Sequence, residues 1–284
     1  MNVSLQNNPE SAASSSSTTN ELVSQSQKLL TPQADHDGHS FQQLQLAYNF
    51  RNISDRRRVF TNLIVQELKS RANPTVLDIG CGCGMARENS WQWAIRPYAG
   101  TYLGIEPDPN MVPAQGLYDQ TQTAVMETSR LPENSVDVAY SWMVMEHVEN
   151  PVAFCEKLYS VLKPGGVYFY STPNIKHYFT FVAKFLKQLK IDEMVLNMIR
   201  KQEQVEDYHY PVQYKFNDER TVAEVANQVG FDQPQFAYVE VEGPINYFPG
   251  PTKLLFHALA WKRTKIQRPD ALLTMMGRIQ KPAS

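Results

Sequence analysis

"VLDIGCGCGMAREN" occupies Val76–Asn89. A short apolar run carries one aspartate, Asp78, and opens at once into three glycines separated by two cysteines. Glycine adopts backbone conformations that a Cβ forbids and lets the main chain come close to a ligand. Free N–H groups at the start of a following helix favour an anionic group. A nucleotide cradle, a metal knuckle and an ordinary tight turn all fit such a stretch. A dinucleotide fingerprint needs G-x-G-x-x-G. Here Met85 stands in place of the third glycine and the pattern is G-x-G-x-G, which disfavours a nicotinamide oxidoreductase. Cys81 and Cys83 form a C-x-C pair, and the remaining cysteine, Cys155, is distant. A zinc site wants a second ligand pair, so no metal is expected.

Outward from this stretch, element types alternate. "TVLDIG" reads as a buried strand, residues 85–96 as a helix, "TYLGIEP" (101–107) as a second strand and "TAVMET" (123–128) as a third. "SVDVAYSWM" (135–143) is a fourth strand, followed by a helix over 150–162. "LKPGG" ends that helix and leads into a fifth strand, "VYFYST". "DERTVAEVANQVGF" is a capped helix ending at Gly230, "FAYVEVEG" a sixth strand, and "ALLTMMGRIQKP" a last edge strand. Strands alternating with helices imply crossover units: an α/β, Rossmann-like, doubly wound, mostly parallel seven-stranded sheet with helices on both faces. Residues 1–38, rich in Ser, Gln, Asn and Thr, read as a disordered polar tail. Residues 39–284 read as one domain, whose first two helices lie between Phe41 and Asn73-Pro74.

Bulk properties narrow the function class. The 284-residue chain has a formal net charge of -2, so it carries no global attraction for nucleic acid. Three cysteines make no disulfide framework and suit a reducing, cytoplasmic setting. No stretch approaches the roughly 20 apolar residues of a membrane span.

Glu106, 26 residues after Gly80, ends the second strand in "GIEPDPNMV". A carboxylate there can accept both hydroxyls of a ribose. Together, "VLDIGCGCG", "YLGIEPDPNMV", "METSRLPENSVDVAYSWMVMEHVENP" and "LKPGGVYFYSTPN" resemble, in order, the motifs of the class I S-adenosylmethionine-dependent methyltransferases over residues 74–174.

The resemblance implies S-adenosyl-L-methionine as cofactor. Asp78 and the loop of Gly80, Cys81, Gly82 and Gly84 would hold its methionine end, and Glu106 its ribose. Pro107 and Met111 would lie beside the adenine. Glu127 stands where the family usually has an Asp for the adenine amino group, and Thr128 would supply the neighbouring N–H. Ser141 and Trp142 would line the methionine side. His147, in "MEHVENP", is the candidate general base, with His177 and His209 as rivals, and alignment without any protein base is a further option.

Residues 174–216 form a long insertion that reads as a helical lid. His177, Tyr178, His209, Tyr210 and Tyr214 are its candidate substrate contacts. Its apolar and basic residues also suit peripheral membrane contact. "NYFPGPTKLLFHALAWKR" is a second apolar-basic stretch, fit for extending the lid or for a dimer contact. The expected acceptor is a small molecule, a sugar or a lipid-like compound, and the expected protein is a monomer or homodimer. A binding module that keeps the pocket without chemistry is the main alternative.

Overall fold

The computed structural model describes residues 19–85, 89–177, 212–241 and 252–283. Most of the expected lid (178–211) lies outside the described residues, as do 86–88 and 242–251.

Eight strands form one sheet: β1 (Asn49–Phe50), β2 (Thr75–Ile79), β3 (Thr101–Ile105), β4 (Gln120–Gln122), β5 (Val136–Trp142), β6 (Leu162–Pro173), β7 (Gln235–Glu240) and β8 (Thr274–Gln280). Their spatial order is β1-β7-β8-β6-β5-β2-β3-β4. All neighbours run parallel except β6/β8 and β7/β8. The chain proceeds from β2 to β3 and β4 on one side, then returns to place β5 on the other side of β2. That reversal opens a crevice at the carboxyl ends of β2 and β5, the usual ligand position of an open α/β sheet.

The described helices are α1 (19–27), α2 (Phe41–Leu46), α3 (Arg56–Lys69), α4 (Ser90–Ile95), α5 (Pro151–Val161), α6 (Glu219–Val229) and α7 (Thr252–Ile266). Two apolar layers flank the sheet. One contains Leu77, Ile79 and Ala139 with α5 and α6. The other contains Val76, Tyr102, Val138 and Tyr140 with α3 and α4. Alternation along β2 and β5 sends successive side chains to opposite layers.

Four expectations are corrected. The sheet has eight strands rather than seven, because Asn49–Phe50 pairs with Val239–Glu240 on β7. Two residues carry too little pattern to be read as a strand. The third strand is Gln120–Gln122, not 123–128, and Met126–Thr128 is a single 3-10 turn. Its backbone closes locally, with Thr128 N–H donating to Val125 O and Ser129 N–H to Met126 O. The last strand is not at an edge: β8 lies between β6 and β7, and most of its residues are buried.

Lastly, residues 19–38, expected to be disordered, pack on the domain. Arg58 Nε donates to Leu29 O (2.7 Å) and Asn62 Nδ2 to Leu30 O (3.1 Å). Gln27 Nε2 donates to Ala94 O at 2.7 Å. Asp37 is fully buried and accepts from Gln33 N, Ala34 N, Ser54 N and Ser54 Oγ. Polar side chains elsewhere in the fold satisfy this segment's backbone, which composition alone does not reveal.

Candidate cofactor and acceptor site

Asp78 lies near the carboxyl end of β2, opposite Gly104 on β3 and Tyr140 on β5. It is buried, and its Oδ2 accepts from Tyr140 OH (2.6 Å), Tyr118 OH (2.7 Å) and Gln92 Nε2 (3.4 Å). Burial pushes its carboxyl up to about 6; the three donors oppose that rise and Glu106 adds to it. Tyr140 OH lies 2.5 Å from Tyr102 OH, which extends the network across β3. None of these supporting groups was singled out in the sequence. Their signal is parity: Tyr140 falls on the face of β5 that matches Asp78 on β2, but only the strand register makes that visible.

The glycine loop turns sharply after β2. Gly80 N–H and Cys81 N–H both donate to Ile105 O, at 2.8 and 3.0 Å, which ties the loop to the end of β3. Gly80 has φ +74°, and a Cβ built there would meet Val144 Cγ2 at 2.5 Å. Gly82 has φ +36° and donates its N–H to Glu106 Oε2 at 2.9 Å. Glu106 Oε1 accepts from Asp108 N–H at 3.0 Å. The carboxylate is thereby fixed facing the loop. Each oxygen carries one backbone donor, and a carboxylate has about four acceptor positions, so capacity remains for a ribose diol. Burial raises the Glu106 pKa above its ordinary value, against the pull of the Asp108 and Gly82 N–H groups.

Pro107 and Met111 follow directly, both half-buried. Met111 Sδ is 3.4 Å from Cys83 Sγ, so the loop and the segment after β3 meet. At the start of α4, Asn89 Nδ2, Ser90 Oγ and Trp91 Nε1 are buried without a hydrogen-bond partner among the described residues. Buried donors normally find acceptors. A glycine cradle, a fixed carboxylate and these unmatched donors fit an adenosyl amino acid with its own carboxylate.

Other expected contacts are placed differently. Ser141 is fully buried and hydrogen-bonds Tyr168 OH at 2.6 Å, so its hydroxyl is spent inside the sheet's packing layer. Trp142 packs on Phe60, with ring centroids 5.4 Å apart. Glu127 is half-buried and Thr128 exposed in the 3-10 turn. The Thr128 N–H already donates to Val125 O at 3.2 Å. Cys81 is buried and its thiol is pushed well above its ordinary pKa by burial, an inert state. Among the described residues no cluster of His, Cys, Asp or Glu has metal-binding geometry.

His147 ends a one-turn 3-10 segment, Met145–His147, just beyond β5. Its N–H donates to Val144 O at 2.8 Å, and Val144 is the residue against Gly80. The candidate base is thus carried on a turn braced against the glycine loop. Met143 enters that turn at φ +55°, a left-handed conformation that costs a non-glycine residue energy and is common at functional sites.

Glu146, beside His147, is buried and accepts from Thr172 Oγ1 at 2.9 Å. Thr172 in turn accepts from Asn217 Nδ2 at 2.6 Å. The Glu146 carbonyl accepts from Gln213 N–H (2.7 Å) and Tyr214 N–H (3.2 Å). Of the candidate substrate residues, Tyr214 is therefore brought next to the His147 turn.

His177 is not brought to the crevice. It is fully enclosed, with Nε2 3.0 Å from an Arg263 guanidinium nitrogen and 3.5 Å from Glu240 Oε1. Burial pushes its imidazole below its ordinary pKa. Neither a substrate contact nor a rival base is supported there, because a closed ion cluster offers no surface to an acceptor. Tyr178, His209 and Tyr210 lie outside the described residues.

Burial also pushes the Glu146 carboxyl up to about 7 from an ordinary 4.5. The folded chain then binds this proton more tightly than the unfolded chain. The stability it contributes is complete below about 4.5 and is lost as pH rises toward 7. Asp78 acts in the same sense between 3.8 and about 6. Glu146→Gln keeps an acceptor for Thr172 without the titration. Thermal unfolding is expected to show the wild-type midpoint falling relative to this variant as pH rises from about 5 to about 7.5. Parallel curves for the two proteins would contradict that assignment.

A family model described as "Methyltransferase domain" matches residues 39–233. The chain belongs to the methyltransferase-domain family. The family is of the class I, S-adenosylmethionine-dependent kind that the sequence motifs resemble.

Two curated relatives are ubiquinone biosynthesis O-methyltransferases. That of Marinobacter nauticus is 32% identical over 145 residues, which covers 48% of this chain and 58% of the relative. That of Hydrogenovibrio crunogenus is 26% identical over 145 residues, covering 48% and 56%. The chain therefore spans little more than half the length of these relatives. Among solved structures, a chain of the complex between the Haloferax volcanii Trm112 methyltransferase activator and a methyltransferase superposes with a TM-score of 0.51 at 15% identity, over 78% of this chain and 89% of that one. At that identity the likeness concerns the fold.

Proposed function

We propose that this methyltransferase transfers the methyl group of S-adenosylmethionine to a hydroxyl of a small, lipid-like acceptor. The observation that carries the cofactor assignment is the Glu106 carboxylate, fixed by Gly82 N–H and Asp108 N–H at the mouth of the glycine loop. The names of the two ubiquinone-biosynthesis relatives support an oxygen acceptor on a small molecule.

When bound, the cofactor supplies an electrophilic methyl group on a positively charged sulfur. The protein's task is alignment and exclusion of water. Glu106 orients the ribose, and the loop from Gly80 to Gly84 holds the amino-acid end above Asp78. Val144, against Gly80, provides an apolar wall. His147 takes the proton of the acceptor hydroxyl as the oxygen attacks, so that no charged acid is left on the product.

His147→Ala is expected to lower kcat at least tenfold, since a positioned base typically contributes about a hundredfold or more, with little change in cofactor affinity. Incubation with labelled S-adenosylmethionine and a panel of phenols with and without isoprenoid tails tests both points. Unchanged turnover over the whole pH range would remove His147 from the reaction. Tight cofactor binding with no labelled product from any acceptor would favour a binding module instead.

A further inference from the structure

We infer that the outer face of α7 docks the protein on an anionic lipid surface. Seven large apolar side chains are exposed among the described residues, and three of them lie on this one helix: Leu254 (75% exposed), Trp261 (65%) and Ile266 (53%). Leu254, Ala258, Trp261 and Lys265 follow one another at i, i+4, i+7 and i+11, which places them along a single stripe. Lys262 and Lys265, both exposed, stand beside Trp261.

From Pro244 to Arg268 the sequence contains five Lys or Arg and no Asp or Glu. Arg263 is committed inward to Glu240 and His177, and Arg268 is paired with Asp270 at 2.7 Å. Of the other three, Lys262 and Lys265 are exposed on this face. A groove of about 150 Å³ runs alongside, with Leu259, Ile266 and Ala271 as apolar lining and Lys262, Arg263 and Arg268 as its basic members. An indole, aliphatic side chains and lysines on one solvent-facing stripe match the layered chemistry of a lipid interface, with apolar groups below and phosphate at the level of the ammonium groups.

The inner face of α7 fixes where this surface points. Ala260 is buried, and Tyr48 OH donates to Arg263 O at 3.1 Å. Arg263 holds Glu240, the last residue of β7, and His177, just past β6. Both strands run parallel to β5 and β2, so α7 is pinned at the same edge of the sheet as Glu106 and His147. A membrane-bound acceptor reaches the crevice from that edge. This purpose rests on the proposed lipid-like acceptor; the docking itself does not.

The test is co-sedimentation of the full chain with vesicles of phosphatidylcholine, alone or with about a third phosphatidylglycerol, at low salt and at about 0.5 M salt. Binding at least tenfold stronger to the anionic vesicles and weakened by salt is expected. Lys262→Glu with Lys265→Glu should reduce it at least tenfold, and so should Leu254→Glu with Trp261→Glu. S-adenosylmethionine titration of both variants should match the wild type, which shows that they fold. It also separates failure of the docking from failure of the methyltransferase reading. Absence of vesicle binding, equal binding to both vesicle types, or wild-type binding by both variants overturns the proposal. A dimer in sedimentation that Trp261→Glu dissolves, without vesicle binding, assigns the face to a second copy and also overturns it.

Discussion

Glu106→Ala is expected to weaken S-adenosylmethionine binding about a hundredfold. A carboxylate that accepts two ribose hydroxyls makes two charge-assisted hydrogen bonds, each worth roughly 1.5–3 kcal/mol. The lower end of that range already amounts to about two powers of ten in Kd. The same substitution frees Gly82 N–H and Asp108 N–H, the two groups that Glu106 holds. Gly82 and Glu106 are half-buried, so water can replace the carboxylate at the Gly82 N–H, and the loss should appear in affinity far more than in thermal stability. Glu106→Gln keeps one good acceptor and should recover part of the affinity. Calorimetric titration of the three proteins checks this, and equal Kd values would place the ribose elsewhere.

Gly80→Ala has the second large effect, and it acts through the backbone. At φ +74° an alanine costs roughly 1–2 kcal/mol. In addition, its Cβ would meet Val144 Cγ2 at 2.5 Å. Val144 belongs to the turn that ends at His147, so relief of the clash must move either the cofactor loop or the candidate base. Destabilisation of about 3 kcal/mol overall is the expected order, together with loss of both cofactor binding and turnover. Val144→Ala in the Gly80→Ala background removes the clashing methyl groups and should restore part of the stability but not the conformational cost. Chemical denaturation of the two variants measures each share. A Gly80→Ala protein of wild-type stability and affinity would show that the loop tolerates a side chain there.

These two positions were open to reading because each depends on local pattern. The glycines stand directly after an apolar strand, and Glu106 closes the next strand at its carboxyl end. Features that depend on pairing between distant segments were not legible. β8 resembles an edge strand in isolation, yet it is inserted between β6 and β7. β1 is two residues long and exists only because β7 accepts it. Tyr118 and Tyr140 meet on Asp78 from different elements. The chain of Glu146, Thr172 and Asn217 joins residues that are far apart in sequence.

At Ser141 and Thr128, expected to contact the cofactor, the hydroxyl and the N–H already bond Tyr168 OH and Val125 O, which a motif position does not reveal. The packing of residues 19–38, part of the stretch 1–38 whose composition reads as a disordered tail, has no signature in apolar content. Their placement comes instead from backbone acceptors matched to Arg58 and Asn62 on α3.

The central claim is that the loop of Gly80 to Gly84 and the carboxylate of Glu106 together hold an adenosyl amino acid. A crystal structure of the chain grown with S-adenosylhomocysteine tests it most directly. The account predicts both ribose hydroxyls within hydrogen-bonding distance of Glu106 and the amino-acid end over the glycine turn. Density for the compound at another place, or clear protein density with nothing bound between β2 and β5 at a saturating concentration, would contradict it.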